Sequence, residues 1–265
     1  MRLSYGLAAL ITLSLTAIPV QAQGVVFVQK ETRGTQSTTS RVQMDKDHIR
    51  TESRSAGDES AFVFDGPKQT ARMINMTKKT YMEMTKAEME GMKKQMEGAM
   101  AQMQQQLAAM PAAQRAMVEQ MMQGRGMPGM PAAAPPKVDY KQTGSDKVGQ
   151  WACTKYEGTV GGQKTTEICT VDPKEFGLTS ADFAAAQQLA DFLKTLLPDV
   201  ADRMLVNGTA QSQGFSGVPV RQTWFRNGAV ESMTETTEFR RETLPASTFE
   251  TPAGFRKEAV PGLGR

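Results

Sequence analysis

Between Val25 and Met84 the apolar and β-branched residues come in short runs, each closed by polar or turn-forming residues before a helix could develop. Val25-Val26-Phe27-Val28, Thr38 to Met44 and His48 to Ser53 come first, the last two separated by Asp45-Lys46-Asp47. Ala61-Phe62-Val63-Phe64 then stops at Asp65-Gly66-Pro67, a strong turn signal. Arg72 to Met76 and Thr80 to Met84 complete the series, with Lys78-Lys79 between them. Strands this closely spaced and joined by polar connections read as an antiparallel meander.

The pattern changes at Thr85. From there to Met122 the chain is dominated by Ala, Glu, Gln, Lys and Met, all good helix formers. Met89, Met92, Met96, Met100, Met103, Leu107 and Met110 recur at intervals of three and four, which places them in one stripe along a helix. Pro111 ends or kinks that helix, and a second helical piece carries Met117, Met121 and Met122. The Gly/Pro-rich stretch from Gly124 to Pro136 reads as a flexible linker.

Strands resume near Val138. Gln150 to Gly158 and Gln163 to Val171 form the arms of a hairpin around Gly161-Gly162. Thr179-Ser180-Ala181-Asp182 is a capping-box pattern that opens a helix with Phe183, Leu189, Leu193, Leu196 and Leu197 on its apolar face. Pro198 breaks it and starts a second short helix that ends at Asn207-Gly208. Val218 to Arg226 and Ala229 to Arg240 are strands joined by Asn227-Gly228, the best short-range hairpin signal in the chain.

The start of the sequence indicates export. Arg2 precedes the uncharged apolar run Gly6 to Val20, and Val20-Gln21-Ala22 has small residues where a signal peptidase reads. The run is about 15 residues, short of the roughly 20 needed to span a bilayer. The expected organisation is a signal peptide over residues 1–22 and a single exported domain over 23–265, with 84–136 as a Met-rich helical insertion and linker within it. No transmembrane anchor is expected, and the periplasm is the expected location. A formal net charge of +3 is too balanced to suggest a nucleic-acid partner.

Two cysteines in an oxidising compartment are expected to pair. Cys153 and Cys169 are equidistant from the Gly161-Gly162 turn, so an undisturbed hairpin places them opposite one another on one face. A disulfide there closes a loop worth roughly 3 kcal/mol in the chain-entropy model. The alternative is a redox-active pair, against which stands the absence of C-x-x-C.

Other chemistry is sparsely signalled. His48 is the single histidine, and with Asp45 and Asp47 it forms an apparent metal cluster. A strand, however, points Asp47 and His48 to opposite faces, and Asp-Lys-Asp is a natural turn. Gly214-Phe215-Ser216-Gly217 has the wrong spacing for a nucleophile elbow. There is no phosphate loop or dinucleotide fingerprint, and no acidic pair is readable as acid and base. No catalytic residue, metal site or cofactor is expected, and the chain is read as not an enzyme.

The Met stripe remains. Thioether sulfurs bind Cu(I), so a periplasmic copper-binding protein is one alternative reading, and an enzyme with no recognisable motif is the other. A sulfur set strung along one helix faces one direction, however, and encloses an ion poorly. Met also suits a surface that accepts varied apolar partners. Met89, Met92, Met96, Met100 and Met103 are therefore the expected ligand contacts, for a lipid or a hydrophobic protein segment.

Four stretches together resemble one exported bacterial family. Lys147-Val148-Gly149-Gln150-Trp151-Ala152-Cys153-Thr154-Lys155-Tyr156 resembles its "K-V-x-G-y-x-C-x-K-Y" strand, and Leu244 to Phe255 its terminal "lp-x-s-x-F-x-v-P-x-G-Y". Asp47-His48-Ile49-Arg50 resembles an early "d-k-i-R", and Lys79-Thr80-Tyr81-Met82-Glu83-Met84 a "k-x-Y-m-e-m". Thr251 and Phe255 depart from the commoner Val and Tyr. This is the domain-of-unknown-function 4412 family, which transfers no catalytic residue. Its element order is similar to periplasmic lipoprotein-carrier (LolA-like) folds. The resemblance implies an α+β fold: a curved antiparallel half-barrel with helices on its concave face and, by analogy, an apolar ligand. About nine to eleven strands are expected, more than a flat sheet normally holds.

Overall fold

The structure, a computed structural model, describes residues 22–111, 114, 138–194 and 214–260. Residues 1–21 of the expected signal peptide, the helical piece expected through Met117 and Met122, the linker expected after it and the helix expected after Pro198 lie outside the described residues.

Six strands come first: β1 (Ala22–Arg33), β2 (Gln36–Met44), β3 (His48–Ser55), β4 (Asp58–Asp65), β5 (Thr70–Asn75) and β6 (Thr80–Thr85). Helix α1 (Lys86–Ala109) follows, then β7 (Asp139–Val148), β8 (Trp151–Val160) and β9 (Gln163–Val171). Helix α2 (Ala184–Leu193), β10 (Val218–Arg226), β11 (Ala229–Leu244) and β12 (Arg256–Glu258) complete the order. All the strands join one open sheet, β12-β6-β5-β4-β3-β2-β1-β11-β10-β9-β8-β7. The short polar connections make β1 to β6 one meander; β7 to β11 form a second, in which residues 172–217, carrying α2, separate β9 from β10, and β1 pairs with β11 to join the halves.

The sheet has twelve strands rather than nine to eleven, and it is not wholly antiparallel. The addition is β12, three exposed residues running parallel to β6. Arg-Lys-Glu has no alternation to announce a strand. It is held there by the chain segment before it, which crosses from the end of β11 to the far side of the sheet.

Asn227 (φ 53°) and Gly228 (φ 79°) turn β10 into β11 with both central residues in the left-handed region, the turn that matches strand twist. Gly161 (φ 57°) and Gly162 (φ 79°) do the same between β8 and β9. Cys153 and Cys169 are bonded, with Cα atoms 5.4 Å apart. They are not directly opposite, as symmetry about the turn suggests. Lys155 lies across from Cys169, and Thr154 from Thr170. The turn places Val160 beside Gln163, and the register shifts again between Gly158 and Thr159. Two residues along a strand return to the same face, so the bond forms on the diagonal.

β1 is buried on both sides: Val25 and Phe27 turn to one face and Val26 to the other. On the first face Val25, Phe27, Cys153, Cys169 and Val220 are covered by Phe176, Leu178 and Phe183. Next to them Ile49 and Phe64 meet Met89 of α1 and Ala185, Ala186, Leu189 and Phe192 of α2. Met44 touches both groups. The first turn of α1 and the whole of α2 therefore occupy one side of the sheet. Thr179 and Asp182 form the expected cap, the Thr179 N–H and hydroxyl both donating to Asp182 Oδ2 (2.7 and 2.9 Å). The cap opens a 3-10 turn, Ser180–Phe183, ahead of α2. The opposite face buries Val26, Ala61, Val63, Ile74 and Leu244 under Phe249. Among the described residues no helix is long and apolar enough to cross a membrane.

Replacing Cys153 and Cys169 together by Ala should lower unfolding stability by about 3 kcal/mol, because the loop they close regains its freedom in the unfolded chain. Urea denaturation of wild type and double variant measures this, and equal midpoints would show that the hairpin ladder alone holds the segment.

Candidate functional site: a methionine-faced surface

Helix α1 starts where β6 ends. The Glu88 N–H donates to Thr85 Oγ1 (3.2 Å), and the Thr85 N–H donates back to Glu88 Oε2 (2.7 Å), a reciprocal cap. The Thr85 backbone N–H, more than the opposing effect of burial, holds the Glu88 carboxyl below its ordinary range, helped by the Thr85 hydroxyl and by Lys257. The Lys86 N–H also donates to the Gln69 carbonyl (3.2 Å), tying the helix to the β4–β5 turn.

One turn later Met89 is 1% exposed among Ile49, Phe64, Leu189 and Phe192. Beyond it the stripe changes character. Met92, Met96, Met100, Met103, Leu107 and Met110 are half-buried, while Glu90, Lys94 and Glu97 on the other sides are exposed, as is Lys93 at the edge of the stripe. The three-and-four spacing thus marks a real face, but among the described residues Met89 alone of the stripe joins a buried cluster.

The sheet has an apolar row of its own on the face that meets Met89. Phe62, Met73 and Met82 stand side by side across β4, β5 and β6. They share the face of Phe64, Ala71 and Met84, whose pairs are the next ones along on that side. Met73 is 52% exposed, one of two exposed large apolar side chains among the described residues. Sequence reading missed Met73 and Met82 as part of the site. The signal was present: Met82 and Met84 alternate with Tyr81 and Glu83, so both methionines face one way.

The apparent metal cluster resolves into a turn. Asp45 Oδ1 accepts the N–H groups of Asp47 (2.8 Å) and His48 (2.7 Å), and the His48 ring Nδ1 lies 3.0 Å from it. Asp47 turns away to pair with Lys46. Among the described residues no three His, Cys, Asp or Glu side chains are placed to hold a metal ion. The His48 ring stacks on Phe249, with centroids 4.9 Å apart, and its Nε2 lies 3.9 Å from Asp65 Oδ1.

Phe249 belongs to a strap, residues 245–255, that crosses the face opposite the helices. Two arginines fasten it. Arg50, 6% exposed, donates from Nη1 to the carbonyls of Thr248 (3.2 Å) and Glu250 (3.5 Å), and from Nε to Glu52 (2.7 Å). Arg72 donates from Nη2 to the Phe249 carbonyl (3.1 Å) and from Nη1 to Thr251 Oγ1 (3.1 Å). The Arg256 N–H donates to the Lys79 carbonyl (3.0 Å), and Tyr81 and Phe255 pack against the cluster below. Three of the four stretches that resemble the family therefore meet at this strap. The fourth, Lys147 to Tyr156, supplies Val148, Trp151 and Cys153 to the core on the helix side. These motifs record how the sheet is locked. Thr251, standing where Val is commoner, has a physical reason: its hydroxyl satisfies one arm of Arg72.

A cleft of about 520 Å³ opens elsewhere, between the end of β9 and the approach to β10. Thr154, Tyr156, Thr170, Asp172, Lys174 and Ser216 give it a mixed polar lining.

Thr251→Val should cost about 1 kcal/mol, because Arg72 Nη1 loses its acceptor while the buried Arg72 Nε has no partner among the described residues either; unchanged denaturation midpoints would refute this. Asp65 supplies a pH test. Burial alone raises its carboxyl, but the Lys68 ammonium and N–H and the nearby His48 outweigh burial and leave it below the ordinary range. A depressed folded value stabilises above the unfolded pKa, and that contribution is lost as pH falls through the folded one. Asp65→Asn should therefore flatten the loss of stability below about pH 4. Parallel acid limbs in wild type and variant, followed by urea denaturation, would assign that loss to other carboxylates.

No curated protein sequence matches the chain. Among solved structures it is similar to an uncharacterized conserved protein from Thermus thermophilus, at 10% identity and a TM-score of 0.46, over 91% of this chain and 92% of the other. It is also similar to PNGF-II, at 10% identity and a TM-score of 0.37, covering 91% of this chain and 32% of that one. A third similarity is to the Pseudomonas aeruginosa MucA/MucB complex, at 10% identity and a TM-score of 0.39, over 88% of this chain and 57% of the other. The model of the family described as "Domain of unknown function (DUF4412)" matches residues 84–255, which takes in α1, the β8 motif and the strap but not Asp47 to Arg50. The chain belongs to the domain-of-unknown-function 4412 family.

Proposed function

We propose that this protein is a non-catalytic periplasmic binding module, which holds a lipid acyl chain or a hydrophobic protein segment against the methionine surface of α1 and the adjoining sheet. The observation that carries this reading is the graded burial of one stripe. Met89 anchors the helix in the core, while Met92, Met96, Met100 and Met103 are only half-buried although Glu90, Lys94 and Glu97 lie on its other sides and Lys93 stands at the stripe's edge. A helix whose face only filled a rigid core would favour Leu and Ile, which specify one packing. Thioether side chains are flexible and polarizable, so they adapt to partners of differing shape.

Supporting details are consistent with this. Met73 and Met82 add two adjacent methionines on the face of the sheet that meets Met89. The Cys153–Cys169 bond fits an oxidising compartment such as the periplasm. A curved sheet with the helices on its concave side, as in lipoprotein carriers, would give the ligand a trough between α1 and β4 to β6.

Replacing Met92, Met96, Met100 and Met103 by Gln keeps helix propensity and length but makes the stripe polar. Binding of the apolar dye Nile red should weaken about tenfold, equivalent to about 1.4 kcal/mol, with the thermal midpoint little changed. A large drop in the midpoint with unaltered dye binding would instead show that the stripe is permanent core.

A further inference from the structure

The same row of sulfurs has a second chemical property. Both cysteines are bonded to each other, so no free thiol competes for an oxidant. The thioethers are then the soft nucleophiles of the chain, and their exposure is sharply graded along α1. Met89 is 1% exposed, whereas Met92, Met96, Met100 and Met103 reach the surface.

We propose that the outer row of α1, Met92, Met96, Met100 and Met103, is a reversible methionine-sulfoxide switch driven by peroxide-class oxidants. Each sulfur attacks one peroxide oxygen. The S–O bond forms as the O–O bond breaks, sulfur loses two electrons, and the second oxygen leaves as water. A dithiol-dependent sulfoxide reductase reverses the step, yielding the thioether, water and a disulfide in the reductant. Oxidation converts a flexible apolar side chain into a polar one, so the stripe loses its apolar face.

The placement of Met89 makes this a switch and not simply damage. Its neighbours Ile49, Phe64, Leu189 and Phe192 close over it. The Thr85–Glu88 cap and the Lys86–Gln69 bond fix the same turn and contain no oxidisable atom. The helix therefore stays attached to β6, while its outer turns exchange an apolar face for a polar one and open more often. Lys93 and Lys94, both exposed, lie within those turns and report the opening as trypsin sites. The functional consequence, release of an apolar ligand, rests on the binding reading above; the chemical switch itself does not.

The test treats the exported chain with limiting hydrogen peroxide and follows three readouts. Peptide mass mapping should find the four outer methionines oxidised about tenfold faster than Met89, which reacts only through local opening. Trypsin cleavage after Lys93 and Lys94 should accelerate several-fold, return to its starting rate after sulfoxide reductase and dithiol, and stay slow throughout when the four residues are changed to Leu. Nile red binding should fall on oxidation. Equal oxidation of Met89, cleavage indifferent to peroxide, or acceleration that persists in the Leu variant would each overturn the switch, and where the reduced protein binds the dye, equal binding after oxidation would overturn it too. If the reduced protein binds no dye at all, the binding reading fails, while mapping and proteolysis still decide the switch.

Discussion

The ladder between β1 and β11 is the interaction on which everything else depends. Each half of the sheet is a local meander whose strands pair with their sequence neighbours, β12 on β6 excepted. The two meanders are joined within the sheet through β1, at the start, and β11, near the end, and the strap and α2 then pack across onto the first half. This explains the residues at the start of β1. Val25 and Phe27 complete the helix-side core, and Val26 completes the strap-side core, so the one strand is buried on both faces. It also explains the bulge between Val28 and Gln29, beyond which the strand runs into half-exposed residues. Loop closure across most of the chain must precede this ladder, so local hairpins are expected to form before the halves join.

The two faces then carry different tasks. One is sealed by a strap whose carbonyls are gripped by Arg50 and Arg72, with Phe249 driven into the cluster beneath. Guanidinium groups suit this work: several donors in a fixed fork hold several carbonyl oxygens of an irregular segment at once. The other face is closed over β1, β9 and β10 by the residues leading into α2, and more loosely over β4 to β6, where methionine predominates. Sealing one side with directional hydrogen bonds leaves the other free to be soft.

Much of the fold was legible because local pattern and tertiary need coincide here. The alternation in Val25 to Met84, Asn227-Gly228 and Gly161-Gly162 describe hairpins that form from adjacent residues, and the structure contains them. The Met stripe was legible as a helix face for the same reason. Met73 and Met82 escaped notice because a sheet surface is made of residues far apart in sequence, and each methionine alone looks ordinary. Asp45, Asp47 and His48 show the converse: neighbours in sequence that suggest a metal site, yet the turn uses Asp45 to bond backbone and ring while Asp47 points to Lys46.

By itself the sequence determined the hairpins, the capping of α1 and α2, the pairing of the two cysteines and the Met-lined face, since each follows from spacing within a short stretch. Tertiary structure alone decided the joining of β1 to β11, the diagonal geometry of the disulfide, the strap gripped by Arg50 and Arg72, and which methionine is core and which is surface. These depend on register shifts and on contacts between residues more than 200 positions apart. Burial of one side chain by another so distant has no trace in local periodicity: Met89 and Met92 look alike on the helix, and only the arrival of Ile49, Phe64 and α2 beneath the first turn distinguishes them.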